Sequence, residues 1–327
     1  KAAQVTLGEV VEAYLENRVN KQGQPLKPRT KADIRRHMEK TFPDWQSIPL
    51  TTISRPMISE RYAQKSRDSV AQANQAMRIL SAVFNYAIAS TRKPDGSKII
   101  ADNPVDVLKE TKALRSVPEK KTRLPADQMG EWWSALHKRK ADLSLQPVSH
   151  TALDAIAFMA LTGVRFEEAL TLKWDRVDLN DKSFQLVDTK NGLDVRLPLS
   201  DAAHAILEAR YREGDEWVFP GRTTGRLTNP NKQFIELEKM TGVKMTAHPL
   251  RRTFIQIGTK ELRFELWRIK ALTNHKQDQQ DVTLGHYVDL SDLRFLRDET
   301  NAIANYYETK RREFEADNVV SISGRRA

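Results

Sequence analysis

The 327-residue sequence contains no cysteine. Disulfides, cysteine nucleophiles and thiolate zinc sites are therefore excluded, and a reducing cytoplasm is the expected setting. Long hydrophobic runs are missing too. The most apolar stretch, residues 152–161, is too short to span a bilayer and carries Asp154, so it reads as a buried helix. The short, polar start from Lys1 to Val5 lacks the pattern of a signal peptide. No internal repeat or low-complexity tract stands out. There is no Gly-x4-Gly-Lys-Ser/Thr phosphate loop and no grouped carboxylate set that asks for magnesium. No cofactor and no metal is expected.

What is abundant is charge. Lysine and arginine number 53 against 43 acidic residues, a net charge of +10, with charged residues at 29% and hydrophobic ones at 39%. Such a chain buries a core but keeps a wide charged surface. A basic surplus of this size favours a polyanionic partner, nucleic acid before an anionic membrane surface, although a merely soluble basic enzyme has the same charge. The length suits two domains.

Patterning divides the chain. Residues 6–19 open with a capping box, Thr6 with Glu9, and place Leu7, Val10, Val11, Tyr14 and Leu15 on one helical face. A second helix is expected over 30–40, and Ser54 with Pro56 starts a third. Residues 69–89 carry the clearest stripe, from Val70 through Met77 and Leu80 to Ile88. Residues 1–117 thus read as an all-helical unit, with a linker over 116–122. Residues 118–327 read as a mixed domain with a helical tail. Helices are expected there over 125–139, 149–161, 201–211, 231–240 and 250–260. Two strands, 183–187 and 194–199, flank a turn at Lys190-Asn191-Gly192. A last amphipathic pattern runs from 291 to 314. The fold class is mostly α with a small β-sheet, α+β.

Phosphodiester cleavage without a metal needs a nucleophile, cations around the non-bridging oxygens, a base for the nucleophile and an acid for the leaving oxygen. Arginine suits the clamp, because its planar fork matches two phosphate oxygens and stays charged. The second half supplies such a set in order. Leu161-Thr162-Gly163-Val164-Arg165 breaks one helix at Gly163 and opens another at Arg165, where backbone N–H groups also favour anions. Glu168 follows one turn later, able to brace the arginine or the loop. Lys190 sits at the hairpin tip, where most lysines are simply solvated. His248-Pro249-Leu250-Arg251-Arg252 puts a proton carrier and a clamp at i and i+3 on a helix start. His275 closes Leu272-Thr273-Asn274-His275, and Tyr287 stands in Asp281-Val282-Thr283-Leu284-Gly285-His286-Tyr287-Val288. Tyr306 and Tyr307 are rival nucleophiles by position, and His286 is a lesser rival to His275.

Taken in order, Thr-Gly-x-Arg-x-x-Glu, Thr-Lys-Asn-Gly, His-x-Leu-Arg-Arg, Asn-His and the segment around Tyr287 resemble the tyrosine recombinases, above all the phage-type integrases. The resemblance covers the chain from about Leu124 to its end. The helical first part is similar in kind to the family's core-binding domain but carries no comparable motif. The resemblance implies that Arg165 and Arg251 clamp the scissile phosphate, with His275 completing the clamp. It implies that Lys190 is the general acid towards the 5′ oxygen and that His248 helps take the proton from Tyr287. Tyr287 would form a 3′-phosphotyrosine link, which stores the bond energy and makes religation independent of ATP. The gap from His275 to Tyr287 is longer than usual for the family, with residues 276–280 as the extra loop. The implied partners are double-stranded DNA attachment sites and further protomers in a homotetramer, with DNA-bending and directionality proteins assisting and no membrane. The implied setting is cytoplasmic, on bacterial or phage DNA, and the start at Lys1 suggests a preceding arm-site-binding domain. A non-catalytic DNA-binding protein that kept the fold, a strand-passing topoisomerase-like enzyme and a scaffold binding a polyanion such as RNA are the other readings. The tail stripe of Leu293, Leu296, Ile303 and Tyr307 is open to packing within the chain or on a neighbouring subunit.

Overall fold

A computed structural model describes residues 5–20, 23–91, 97–119, 122–187, 194–223, 225–275 and 289–323. The chain forms two compact units, residues 1–120 and 121–327.

The first unit is helical, with α1 (Leu7–Asn17), α2 (Pro28–Thr41), α3 (Arg55–Asp68), α4 (Val70–Ser90) and the short α5 (Val107–Glu110). Local chemistry sets the starts. Thr6 and Glu9 form the reciprocal capping box of α1, and the Ser69 hydroxyl accepts from Gln72 N at the head of α4. Leu7, Leu15, Met38, Phe42, Ile58, Leu80 and Phe84 are buried together as the core. Polar groups inside are paired: Tyr62 Oη donates to Asn74 Oδ1 at 2.9 Å, Asn74 Nδ2 donates to Arg115 O at 2.9 Å, and Arg115 N donates to Tyr62 Oη at 2.8 Å. This ring fastens residue 115 to α3 and α4 and leaves none of its buried donors unpaired.

The second unit is built around α7 (Pro147–Thr162), buried on all sides from Thr151 to Thr162 except at Asp154. Asp154 is held by Arg210 at 2.8 Å and Lys140 at 2.7 Å. Around α7 lie α6 (Met129–Lys140), α8 (Phe166–Leu170), α9 (Asp201–Arg210), α10 (Asn231–Thr241), α11 (Ala247–Gln256), α12 (Leu266–Leu272) and α13 (Arg297–Ser323). The described residues form one antiparallel sheet in the order β1 (Val177–Asp178), β2 (Ser183–Leu186), β3 (Val195–Pro198), with Phe184 opposite Leu197. Phe158 of α7 meets Phe184 edge-on at 5.4 Å, so the sheet covers one side of that helix. Among the described residues no helix is long and apolar enough to cross a membrane.

The mostly-α fold with a small sheet agrees with the sequence. Three details differ. Helix α6 starts at Met129 rather than near 125, after a turn. Helix α11 starts earlier than expected, at Ala247, and widens after Gln256 into a π-turn, Ile257–Glu261. Gly258 in that turn lies so close to Ile269 that a Cβ would come within 2.5 Å of Ile269 Cδ1. The tail packs within its own unit: Leu293, Leu296, Ile303 and Tyr307 are all buried. Helix α13 lies on α6 at Gly130, where a Cβ would meet Lys310 O at 2.2 Å. The residues leading into it extend β3, with Arg196 N donating to Ser291 O at 2.7 Å and Leu293 N donating to Arg196 O at 2.8 Å.

Candidate active site

Three segments far apart in sequence converge at one end of α7. The first is the turn that ends α7. Gly163 takes the left-handed conformation, φ +64°, and a Cβ there would lie 2.6 Å from Phe254 Cδ1 and 3.0 Å from Thr273 Cγ2. Glycine is required both by the backbone angle and by the close approach. Arg165 follows as the N-cap of α8, a helix of 5 residues. The Glu168 carboxylate sits at this helix start, accepting from Arg165 N at 2.8 Å and from Arg165 Nη1 at 2.7 Å. Glu168 therefore braces both the arginine and the loop. Arg226 is paired to the neighbouring Glu167 at 3.2 Å, a contact the sequence did not suggest.

The second segment is α11. Arg251 is 4% exposed, and its Nη1 donates to Gly163 O at 2.8 Å. His248, three residues earlier, is exposed to solvent. Burial, then Arg252 and Arg251, lower the His248 pKa below 6.5. The third segment is the end of α12. Asn274 adopts positive φ, 45°, and its carbonyl accepts from Arg165 Nη2 at 2.8 Å. His275 follows with its Nδ1 3.2 Å from Arg251 Nη2 and 2.9 Å from Thr273 Oγ1.

Each arginine is thus aimed by a backbone carbonyl contributed by another segment. Arg165 is held by Asn274 O, and Arg251 by Gly163 O. Their mutual repulsion is visible in the ionisation of the site. Desolvation first and Arg165 second bring the Arg251 pKa down to about 10, partly opposed by Glu168. Partial burial, then Arg251, Arg165, Lys270 and His248, bring His275 down to about 4. Two guanidiniums and two uncharged imidazoles form a cationic cluster, and a bound anion would relieve its repulsion.

The structure therefore brings Arg165, Arg251 and His275 together through hydrogen bonds among their segments, with His248 three residues before Arg251 on α11. Lys190, Tyr287 and His286 lie outside the described residues. Of the rival tyrosines, Tyr307 is fully buried with its ring centroid 4.7 Å from that of Trp133, and burial drives its pKa far above 10.0. Tyr306 is half-buried on α13 beneath Lys310, and its pKa is raised as well. Neither is set up as a nucleophile. Sequence reasoning missed the roles of Asn274, Thr273 and the Gly163 carbonyl. An Asn just before a candidate ligand was a usable hint, since Asn tolerates positive φ better than most residues.

The profile described as Phage integrase family matches residues 122–292, and the profile described as Phage integrase central domain matches residues 7–98. No curated protein sequence gives a significant match. In fold, the chain is similar to a lambda integrase solved as a dimer bound to a COC′ core site, with TM-score 0.64 at 20% identity, covering 90% of this chain and 79% of that one. It is similar to the Tn1549 transposon integrase in complex with transposon right end DNA, with TM-score 0.65 at 18% identity and coverage of 87% and 95%. The XerH site-specific recombinase bound to difH substrate aligns with TM-score 0.56 at 16% identity, covering 87% of this chain and 85% of that one.

Proposed function

The chain belongs to the phage integrase family and is a site-specific tyrosine recombinase, and from this premise we propose that it cleaves DNA by attack of Tyr287 on a phosphate held between Arg165 and Arg251. The observation that carries the proposal is the convergence of Arg165, Arg251 and His275 from three separate segments, each oriented by a hydrogen bond to another of them. The guanidiniums neutralise charge on the non-bridging oxygens as the phosphorane forms, and His275 adds a hydrogen bond. His248, neutral at working pH, takes the proton from Tyr287. Lys190 protonates the departing 5′ oxygen. The products are a 3′-phosphotyrosine and a free 5′ hydroxyl, and reversal rejoins the strand. Bond energy is conserved throughout, so no ATP is required, and the two guanidiniums supply the positive charge on the phosphate oxygens that a metal would otherwise supply.

The substrate is a double-stranded attachment site, recombined to integrate or excise a phage or other mobile element in the cytoplasm. Residues 1–117 are proposed to grip one face of the duplex and residues 118–327 the other. Four protomers would exchange strands between two sites. A lambda integrase of similar fold was solved as a tetramer bound to a Holliday junction, which supports that stoichiometry.

The test uses DNA carrying the attachment site, nicked so that the cut strand cannot religate. The wild-type chain should yield a denaturation-resistant protein–DNA adduct, and Tyr287→Phe should yield none. An adduct surviving in Tyr287→Phe would move the nucleophile elsewhere. No adduct from wild type, on a site it binds, would favour a non-catalytic DNA-binding protein.

A further inference from the structure

Two contacts pair α11 and α12 in opposite order along the chain. Gly258, in the π-turn that continues α11, meets Ile269 of α12, and Arg251 of α11 meets His275 just beyond α12. The two helices therefore form an antiparallel hairpin. Its base is closed by Leu262 N donating to Ile257 O and Phe264 N donating to Gly258 O, both at 2.9 Å. Arg251 lies seven residues from Gly258, and His275 six from Ile269. At about 1.5 Å per residue the two contacts are rungs about 10 Å apart.

Gly258 is not in the left-handed region, so its backbone angle does not require glycine. The contact does. A Cβ there would lie 2.5 Å from Ile269 Cδ1, 2.9 Å from Ile269 Cγ1 and 3.4 Å from Ile303 Cδ1 of α13. Ile269 and Ile303 are fully buried, so the Ile269 side chain has no open space to rotate into. Carbons in contact sit about 3.5–4.0 Å apart, so a methyl would drive the helices apart by about 1 Å. The clamp has little room for that. Arg251 Nη2 is 3.2 Å from His275 Nδ1 and 3.5 Å from Nε2, already long for hydrogen bonds, and a shift of about half an ångström would break both. His275 N donates to Lys270 O at 2.9 Å, so its backbone moves with α12. Arg251 is held from the other side by Gly163 O and cannot follow.

We propose that Gly258 is a positioning residue for strand cleavage: its missing side chain lets α12 close on α11, and that closure sets the spacing at which His275 meets Arg251. This rests on the reading of Arg251 and His275 as part of the phosphate clamp. It also gives the π-turn a task, since such turns recur at functional sites.

The test compares full-length variants by Tm, by affinity for the attachment site and by the rate of adduct formation on the nicked site at saturating DNA. Gly258→Ala should bind with wild-type affinity and cleave about tenfold more slowly, the loss of one charged hydrogen bond. Ile269→Val removes Cδ1 and so offsets the added methyl carbon for carbon. Gly258→Ala with Ile269→Val should regain most of the rate. Leu237→Ala, a core change on α10, should lower Tm without slowing cleavage where the chain is folded. Ile269→Met reaches further towards Gly258 at similar volume, and should slow cleavage should Gly258→Ala alone not fold. A wild-type rate in Gly258→Ala overturns the proposal, as does a wild-type rate in Ile269→Met where Gly258→Ala does not fold. A slow Gly258→Ala that Ile269→Val fails to restore, or an equal slowing in Leu237→Ala, would reduce Gly258 to general packing and also overturn it. Absence of any adduct from wild type would sink the clamp itself, and differs from failure at Gly258 alone, where wild type still cleaves.

Discussion

At the residue scale, Arg251 is the group most opposed to its surroundings. A base whose folded pKa, about 10, lies well below the ordinary arginine value binds its proton less tightly in the folded state. Charged Arg251 therefore weakens the fold at every pH below about 10, and the penalty lifts only as pH rises from there towards the ordinary arginine value. An anion seated between the two guanidiniums should remove much of it. Sulfate is expected to stabilise the DNA-free chain by about 1.4 kcal/mol at ten times its Kd, and so to raise its Tm. Arg165→Ala and Arg251→Lys should gain less when sulfate is compared with chloride at equal ionic strength. An equal gain in all three would reduce the effect to general salt exclusion. His248 gives a second prediction. A base works in its neutral form, so the single-turnover rate should fall as pH drops through a value below 6.5. Arg252 is the first charge among the causes of that lowering, so Arg252→Gln should move the acid limb upward. A wild-type limb above 6.5 would remove His248 from the role of base.

At the scale of elements, the turn between α7 and α8 governs the site. Gly163 supplies the left-handed angle, its carbonyl orients Arg251, and its missing side chain admits Phe254 and Thr273. Phe254 is 0% exposed, so its ring has nowhere to retreat. Gly163→Ala should therefore cost about 2–4 kcal/mol through backbone strain and overpacking together. Because the turn also sets both arginines, adduct formation should drop even at temperatures where the variant is fully folded. A variant that loses Tm but cleaves normally would show that the turn only packs. The contrast with the sequence is instructive here. The break at Gly163, the opening at Arg165 and the bracing by Glu168 are all local, within a turn of one another, and were legible. So were α1 and α4, whose caps and stripes are complete within one element. The carbonyl of Asn274 that holds Arg165 is 109 positions away in sequence and carries no side-chain signature. Strand β1 has only 2 residues, too few for any alternation to show. The π-turn after α11 reflects how closely Gly258 approaches Ile269, which no periodicity encodes.

At the scale of the whole molecule, the surplus of +10 sets how the chain meets DNA. Most contacts of a recombinase with its site are to phosphates, and each phosphate neutralised by lysine or arginine releases condensed counterions. The logarithm of the binding constant should then fall linearly with the logarithm of salt concentration, with a slope near −0.9 per phosphate contacted. If residues 1–117 and 118–327 both hold the duplex, roughly 6–10 phosphates are engaged. Affinity should then fall about 10³- to 10⁵-fold between 50 and 200 mM salt. If Arg165 and Arg251 address a single phosphate, as proposed, Arg251→Lys should leave that slope nearly unchanged while reducing cleavage. Fluorescence anisotropy on a labelled site across a salt series measures the slope, and adduct yield on the same site measures cleavage. A shallow slope in wild type would mean that only one unit engages DNA. A slope that collapses in Arg251→Lys would mean that the clamp contributes to overall affinity rather than to the chemistry of one phosphate, a result its burial and its single-carbonyl tether argue against.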